Sequence, residues 1–124
     1  MGVGKSSLAI RFTQDIFSDY LESTLGAAYF ETTHAYSNGK KINFQFWDTA
    51  GQEKYRSIAR IYFKDCKIAI AVYDVTNKSS FLSLQGWINE LQNNGPSTVL
   101  LAIVGNKIDL LENNLHEEVP LEEV

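Results

Sequence analysis

Alternation of apolar and polar side chains predicts that one stretch of this chain is a strand with one covered face. In residues 41–47 every second position is apolar, which is the two-residue period of a strand. The apolar side chains of that face are Ile42, Phe44 and Phe46. Residues 27–36 are rich in aromatic and β-branched side chains and predict a second strand. The Asn38-Gly39 pair between the two stretches favours a tight turn, so we predict an antiparallel hairpin.

Two continuous apolar runs, residues 68–73 and 99–104, show no such alternation and are bounded by polar residues. Runs of this kind are typical of parallel strands that are buried on both faces. Between them, apolar residues recur at the spacing of a helix that Ser79 or Ser80 can cap and that Gly95-Pro96 ends. The apolar residues of that helix are Phe81, Leu84, Ile88 and Leu91.

The complete order of predicted elements is a helix over residues 5–13, the hairpin, a helix over residues 58–64, then strand, helix and strand. This order is typical of an α/β fold with a mainly parallel sheet. In such sheets, ligands bind beyond the carboxyl ends of the strands. Polar residues follow three of the predicted strands, at Asp48, at Asp74 and at Asn106 to Asp109. We therefore expect the chemistry at that edge of the sheet.

Composition and charge exclude several classes of function. At 124 residues the chain is one domain at most, so residues 1–124 are interpreted as a single domain. The net charge of −4 argues against nucleic-acid binding by general electrostatics. The single cysteine, Cys66, excludes an internal disulfide and favours a reducing compartment. No apolar run in the sequence reaches the length of a membrane span.

The first residues of the chain carry part of a phosphate-binding loop. Gly4-Lys5-Ser6 matches the second half of the pattern Gly, four residues, Gly-Lys-Ser/Thr. Backbone N–H groups of residues 2–6 can surround phosphate oxygens, and a helix that starts near Lys5 adds its positive end. Lys5 is expected to reach the β- and γ-phosphates, and the Ser6 hydroxyl to bind Mg²⁺. A glycine-rich start followed by an ordinary helix is the competing interpretation.

The first half of the same pattern is not in the sequence, because its opening glycine would lie before Met1. The chain therefore starts inside its own motif. Met1-Gly2 with Ser6 also fits the pattern for N-myristoylation, an alternative that gains weight if Met1 is the true start of the protein.

A second group of polar residues follows the hairpin. Asp48 comes after an apolar strand, and an aspartate there can hold Mg²⁺, usually through water, opposite the serine of the phosphate loop. The N–H of Gly51 can approach a γ-phosphate. The side chain of Gln52 can orient an attacking water, because it has both a donor and an acceptor. In the alternative interpretation, Asp48 caps the end of a strand and Gln52 is a solvated loop residue.

Asn106, Lys107 and Asp109 follow the last apolar run in the pattern Asn-Lys-x-Asp. A carboxylate at Asp109 can accept hydrogen bonds from the N1–H and the exocyclic amine of guanine, and adenine offers no such pair of donors. The pattern therefore indicates a guanine-reading loop, against the alternative of an ordinary polar turn. It also speaks against an ATPase or a nucleoside kinase, the other class that a phosphate loop allows.

Taken in this order, the motifs resemble those of the Ras superfamily of GTPases. The stretches that carry the resemblance are Gly4-Lys5-Ser6, Ser23-Thr24, Trp47 to Glu53 and Asn106-Lys107-Ile108-Asp109. Tyr73 to Asn77 and Ser80-Phe81 are similar to the Rab family, and Glu22 to Phe30 resembles its early-endosome branch. The resemblance covers essentially the whole chain. It implies a P-loop GTPase fold, which is α/β with a mostly parallel sheet and helices on both faces.

The resemblance also implies roles for individual residues. Thr24 would be the switch-one threonine that binds Mg²⁺ and senses the γ-phosphate, and Phe17 would pack on the guanine. Effectors would recognise the aromatic cluster Tyr29, Trp47 and Tyr62, for which packing in the core and sheet is the alternative. The nucleotide-binding residues would be Gly2, Val3, Gly4, Lys5, Ser6, Ser7, Phe17, Thr24, Gly51, Asn106, Lys107 and Asp109. The metal ligands would be Ser6, Thr24 and Asp48, and the catalytic residues Gln52 and Lys5.

The function that the resemblance implies is a molecular switch that binds GTP and GDP with Mg²⁺, hydrolyses GTP slowly and regulates vesicle or endosomal traffic. Residues 17–26 and 48–64 would be ordered by the γ-phosphate and released on hydrolysis. The expected partners are an exchange factor, effectors and a GTPase-activating protein, which would supply the arginine that this chain does not obviously provide. The protein would be cytoplasmic and would reach endosomal or vesicle membranes only through a lipidated tail. The alternative is a non-cycling remnant that binds Rab regulators without hydrolysis.

The sequence departs from the family pattern at both ends. The first strand and, after Val124, the Ser-Ala-Lys guanine loop, the last strand and the last helix are absent, so residues 1–124 are interpreted as one incomplete domain. Unpaired buried backbone groups cost about 1–3 kcal/mol each, against about 5–15 kcal/mol for the stability of a whole domain. We therefore expect the isolated chain to be unstable or weak in nucleotide affinity. Arg60 also stands where a proline is common in the family.

Overall fold

The structure, a computed structural model, describes residues 2–52, 56–113 and 119. Its elements, in order, are α1 (Lys5–Gln14), β1 (Ala27–Ala35), β2 (Lys41–Thr49), α2 (Arg56–Phe63), β3 (Ile68–Asp74), α3 (Lys78–Leu82), α4 (Leu84–Asn94), β4 (Leu100–Asn106) and a 3₁₀ helix (Ile108–Asn113). The chain divides into two compact units. We call residues 5–59 the hairpin unit, and residues 1–4 with 60–124 the parallel-strand unit.

In the hairpin unit, β1 and β2 pair antiparallel, as predicted. The register runs from the pair Ala27 and Thr49 to the pair Ala35 and Lys41. The turn passes through Gly39, whose φ of +78° is a left-handed conformation that glycine adopts without a steric penalty. β2 continues to Thr49, beyond the predicted end at residue 47, so Asp48 lies within the strand rather than after it.

An aromatic cluster packs α1 against one face of the hairpin. The Phe12 ring centroid lies 4.8 Å from that of His34, 5.3 Å from that of Phe44 and 5.4 Å from that of Phe46. Aromatic pairs at such distances contribute about 0.5–1.5 kcal/mol each beyond burial. The face predicted to be apolar is therefore the packed face. The cluster fixes α1, which begins with the Lys-Ser of the predicted phosphate loop, to β2.

In the parallel-strand unit, β3 and β4 pair in parallel, and α3 and α4 connect them. The core cluster consists of the buried residues Tyr73, Val75, Leu84 and Val119, with Ala71, Phe81, Ile88 and Leu111 packed against them. The predicted strand–helix–strand arrangement is confirmed. Because the strands are parallel, their carboxyl ends, Asp74 and Asn106, lie side by side.

The prediction that both apolar strands are buried on both faces is wrong for the first half of β3 and for all of β4, in which no residue is buried. Ile68 is 57% exposed, Ile70 is 52% exposed and Leu100 is 67% exposed. The alternate positions Ala71 and Tyr73 pack with residues of α3 and α4, so those helices cover the opposite face of β3. A continuous apolar run permits burial on both faces, but burial itself requires a packed layer on each side.

The helix predicted after β3 exists, but its cap and its division differ from the prediction. The N-cap is Asn77 rather than a serine, and its side chain accepts a hydrogen bond from the Ser80 N–H at 3.2 Å. The Ser80 hydroxyl is used instead at the strand end, where it accepts a hydrogen bond from the Asp74 N–H at 2.9 Å. Ser83 separates α3 from α4, and α4 ends at Gly95, as predicted.

Arg60, which departs from the family pattern, joins α2 to α4 within the parallel-strand unit. Its guanidinium group donates to the two carboxylate oxygens of Glu90 at 2.8 Å and 3.0 Å. Paired bonds of this kind fix orientation as well as distance. Glu90 therefore pairs with Arg60 at the position where the arginine departs from the family pattern.

Candidate functional site

Three oxygen-bearing side chains meet near the carboxyl end of β2 in the hairpin unit. The carboxylate is that of Asp48, which is only 7% exposed. The Ser6 hydroxyl donates to Asp48 Oδ2 at 2.5 Å, and the Thr24 hydroxyl donates to the same oxygen at 3.2 Å. The two hydroxyl oxygens are 2.8 Å apart. The structure thus brings together the three predicted metal ligands, one each from a helix, a connecting segment and a strand.

The chemistry of this donor set suits Mg²⁺. Hydroxyl and carboxylate oxygens are the ligands that this hard cation prefers, and it commonly takes one or two protein carboxylates together with water and substrate phosphates. The hydrogen bonds that Asp48 accepts from Ser6 and Thr24 come from neutral groups. They orient the carboxylate without neutralising its charge.

Lys5 begins α1 beside this cluster. Burial lowers the pKa of its ammonium group below the ordinary value, and attraction to the Asp48 carboxylate offsets part of that change. A cation in the first turn of a helix also faces the positive end of the helix dipole. Both unfavourable effects are relieved when a phosphate binds, because the anion pairs with the ammonium group and with the helix N–H groups. Lys5 therefore lies in an environment that favours a bound anion.

The residues before α1 belong to the parallel-strand unit, and their backbone suits a phosphate-binding loop. Gly2 has a φ of +73° and Gly4 a φ of +95°, both in the left-handed region. Val3 between them is buried, and its carbonyl accepts a hydrogen bond from Asn106 Nδ2 at 2.8 Å. A Cβ at Gly4 would overlap that same side-chain amide. Both the backbone conformation and the close approach therefore require glycine at position 4.

The three residues predicted to read guanine have different environments at the end of β4. The Asn106 side chain donates a hydrogen bond to Val3 of the predicted phosphate loop, as described above. Lys107 has a φ of +66°, and its Nζ lies 2.7 Å from Asp74 Oδ2. Asp109 is exposed in the 3₁₀ helix that follows. The exposed carboxylate is thus the one that was predicted to accept hydrogen bonds from the base.

Other predicted nucleotide-binding residues lie in the hairpin unit. Gly51 and Gln52 follow β2 after the intervening Ala50 and are half-buried, and Ser7 is half-buried in the first turn of α1. Phe17 lies between α1 and β1 and is 65% exposed, so its ring is accessible to a ligand. Residues 53–55 of the predicted second switch segment, and Met1, are outside the described residues.

Two of the three predicted effector-binding aromatics form a pair on the outer face of the hairpin. Tyr29 and Trp47 are partners in the strand register, and their ring centroids are 4.8 Å apart. Both side chains are exposed. They therefore pack across the sheet and not in a core. Tyr62 is half-buried in α2 and belongs to the parallel-strand unit.

A polar network continues from this pair along the same face. The Tyr29 hydroxyl donates to Glu31 Oε2 at 2.9 Å, and Asn43 Nδ2 donates to Glu31 Oε1 at 2.6 Å. Hydrogen bonds from Asn43 and Tyr29 lower the pKa of Glu31, and the bond to Glu31 raises the pKa of Tyr29. No role was predicted for Glu31 or Asn43, although strand alternation places both on the face of Tyr29 and Trp47.

Comparison with known sequences decides the family of the chain. The sequence model of the Ras family matches residues 1–124. The chain belongs to the Ras family.

Relatives of this Ras-family chain include several Rab proteins. It is 45% identical to the Ras-related protein Rab5A of Oryza sativa subsp. japonica, over 99% of this chain and 59% of that protein. It is 44% identical to the GTP-binding protein ypt5 of Schizosaccharomyces pombe, over 89% of this chain and 52% of that protein. It is 42% identical to the Ras-related protein Rab-22A of Homo sapiens, over 90% of this chain and 57% of that protein. The chain thus spans between about half and three-fifths of the length of these relatives.

The Ras-family match confirms the resemblance predicted from the motifs, together with the α/β GTPase fold class. It gives no support to the alternative of a non-cycling remnant. Across the described part of this chain, helices that are both long and apolar enough to cross a membrane are absent. Asp74 was predicted from the sequence to lie at the end of a strand but was given no role. In the structure it is the partner of Lys107.

Proposed function

We propose that this chain is a guanine-nucleotide switch of the Rab type, which binds GTP and GDP with Mg²⁺ and hydrolyses GTP slowly. The observation that carries the proposal is the meeting of the Ser6 and Thr24 hydroxyls on one carboxylate oxygen of Asp48, at 2.5 Å and 3.2 Å. Membership of the Ras family supports it, as does similarity to proteins named as Ras-related or GTP-binding.

Ser6, Thr24 and Asp48 would hold the Mg²⁺ ion, with Asp48 acting through water. The ion supplies positive charge against the phosphate oxygens on which negative charge develops during hydrolysis. Lys5 would pair with the β- and γ-phosphates, and its lowered pKa would rise again once the anion is in place. Backbone N–H groups of residues 2–7 would hold the remaining phosphate oxygens.

Thr24 would make this site a switch. It belongs to the segment that connects α1 to β1, and its hydroxyl joins that segment to the strand end at Asp48. With the γ-phosphate bound, the segment would be held in place, and hydrolysis would release it. Gln52 would orient the attacking water, and the Gly51 N–H would contact the γ-phosphate. A partner protein would supply the arginine that makes hydrolysis fast.

Asn106, Lys107 and Asp109 would select guanine over adenine. The exposed Asp109 carboxylate would accept hydrogen bonds from the N1–H and the 2-amino group of the base. Phe17 would cover the base with its exposed ring. The Asn106 amide would support the phosphate loop through the Val3 carbonyl.

The outer face of the hairpin would be read by effectors. Tyr29 and Trp47 present a paired aromatic surface there, and Tyr62 would complete the set. Exposed aromatic side chains are the residues that most often anchor protein interfaces. An exchange factor and a GTPase-activating protein would act on the two switch segments. By analogy with the Rab relatives, the protein would work at endosomal or vesicle membranes through a lipid anchor.

Titration of the chain with a fluorescent GDP tests the proposal. GDP and GTP should displace the probe and ADP and ATP should not, and removal of Mg²⁺ with EDTA should speed release. Ser6→Asn should weaken binding of Mg²⁺-GTP by about tenfold more than binding of GDP, because the serine hydroxyl is a metal ligand. Ser97→Asn makes the same substitution at an exposed position before β4 and should have no effect.

Two outcomes would contradict the proposal. Equal displacement by ADP would indicate an ATPase or a nucleoside kinase instead of a guanine-nucleotide switch. An equal loss of GTP and GDP affinity in Ser6→Asn would remove Ser6 from the metal site.

A further inference from the structure

Asp74, the last residue of β3, uses both of its carboxylate oxygens. Lys107 Nζ lies 2.7 Å from Oδ2, and Thr76 donates to Oδ1 from its N–H at 2.9 Å and from its hydroxyl at 2.6 Å. Burial alone would raise the pKa of Asp74, but the hydrogen bonds from Lys107 and Thr76 outweigh burial and lower the pKa below its ordinary value. The carboxylate is therefore both ionised and fixed in position at neutral pH.

The partner of this carboxylate has an unusual backbone. The φ of +66° at Lys107 lies in the left-handed region, which residues other than glycine seldom adopt. Such a conformation persists only where its surroundings hold it. The Val75 N–H donates to Asn106 O at 3.1 Å, and the Leu110 N–H donates to Lys107 O at 3.0 Å. The Val75 bond and the ion pair to Asp74 therefore attach the segment after β4 to the end of β3, and the Leu110 bond closes a turn within the segment.

The segment held in this way is the one assigned above to base recognition. We propose that Asp74 is a positioning residue for guanine binding, which sets the path of residues 106–109, and so the place of the Asp109 carboxylate, by holding Lys107. This inference rests on the proposed function. Hydrogen bonds weaken steeply when donor and acceptor are misplaced, so a small shift of the segment would lose the two N–H donors of guanine.

An ion pair that served only the fold would have a different effect on binding. Its loss would reduce the folded fraction and so weaken all nucleotides alike. A positioning pair acts on the contacts to the base, so a nucleotide that lacks one of those contacts is affected less. Inosine diphosphate lacks the 2-amino group of guanine and is therefore the discriminating probe.

The experiment measures the rate of GDP release and the affinities of GDP and inosine diphosphate, in the full 124-residue chain and in Asp74→Asn. This substitution keeps the shape of the side chain and removes its charge. We expect GDP to dissociate about tenfold faster from the variant, and its preference over inosine diphosphate to fall by about fivefold, which is the size of effect of losing a charged hydrogen bond. Asp65→Asn removes the same charge from an exposed position after α2 and should change both values by less than about twofold.

A second variant keeps the test decisive if Asp74→Asn does not fold. Thr76→Val removes the hydroxyl donor to Asp74 and leaves both charges, so it should reduce the GDP preference in the same direction by about twofold. A selective wild-type chain whose preference is unchanged in these variants would overturn the inference alone, as would equal weakening of both nucleotides. A wild-type chain that binds GDP and inosine diphosphate alike would make no contact with the 2-amino group and would overturn the inference, whereas equal binding of ADP would refute the proposed guanine-binding function.

Discussion

Asp48 in the hairpin unit and Asp74 in the parallel-strand unit occupy similar places in two different surroundings. Each lies at or next to the end of its strand, and each is 7% exposed. Asp48 accepts hydrogen bonds from the hydroxyls of Ser6 and Thr24, whereas Asp74 forms an ion pair with Lys107 at 2.7 Å. The first carboxylate is hydrogen-bonded only by neutral hydroxyls, with the Lys5 ammonium group nearby, and is the one proposed to hold a metal ion. The second carboxylate has its charge already matched and can act only on its partner.

The backbone segments that carry the proposed contacts also differ between the two units. Around Asp48, the side chains come from a helix, a connecting segment and a strand. In the parallel-strand unit, the proposed nucleotide contacts depend on left-handed backbone at Gly2, Gly4 and Lys107. The proposed contacts of the hairpin unit therefore depend mainly on which side-chain oxygens are present. The proposed contacts of the parallel-strand unit depend mainly on which residues can adopt its backbone conformation.

The largest expected effect tests the difference between the two carboxylates. In Asp48→Asn, the acceleration of GDP release on removing Mg²⁺ should shrink by about 100-fold, because the variant no longer offers a charge to the metal. In Asp74→Asn, GDP release should be faster than in the wild type, and the increase should be about the same in Mg²⁺ as in EDTA. The measurement is the rate of GDP release in Mg²⁺ and in EDTA. A loss of Mg²⁺ dependence as large in Asp74→Asn as in Asp48→Asn would contradict the comparison.

A smaller effect tests the dependence of the parallel-strand unit on its backbone. Gly4→Ala should destabilise the chain by about 2 kcal/mol or more, for two reasons. A φ of +95° is unfavourable for alanine, and the added Cβ would overlap the Asn106 amide. Gly2→Ala should cost only about 1 kcal/mol, because its φ is also positive but nothing lies within 4 Å of the added atom. Urea unfolding of the two variants beside the wild type measures the difference. Equal losses would show that the contact with Asn106 is unimportant.

The smallest expected effect is a dependence of folding stability on pH that is caused by Asp74. Its pKa is lower in the folded chain than the ordinary value of 3.8, so its ion pair contributes stability above that pH and loses it as the pH falls through the folded-state value. The stability difference between the wild type and Asp74→Asn should therefore be full at pH 7, about 1 kcal/mol, and should narrow below about pH 4. Urea unfolding between pH 7 and pH 3 measures it. A difference that grew at low pH would have the wrong sign for an ionised carboxylate.

Local patterns in the sequence predicted much of this arrangement. Alternation around Phe44 and the Asn38-Gly39 turn predicted the hairpin, and short motifs predicted Ser6 and Asp48 as members of one site. These features depend on residues that are close in sequence or on residue types that only one kind of chemistry requires. The convergence of Ser6 with Asp48 could be expected only because both belong to such motifs.

Features that depend on distant neighbours could not be predicted in the same way. The apolar run that begins at Ile68 shows which residues tolerate burial, but not which layer covers them. The pairing of Asp74 with Lys107 requires the parallel register of β3 and β4, which no local pattern reveals. The role of Asn77 as the cap follows from the start of the helix at Lys78, which places both predicted serine caps inside the helix.

The hydrogen bond from the Asn106 amide to the Val3 carbonyl joins two loops that would contact opposite ends of one nucleotide. Through this link, binding at one end of the nucleotide would affect binding at the other end. By thermodynamic reciprocity, any coupling by which a phosphate group near Val3 strengthens binding of the base must strengthen phosphate binding by the same factor once the base is bound. A free base and a free diphosphate should therefore assist one another's binding even when no covalent bond connects them.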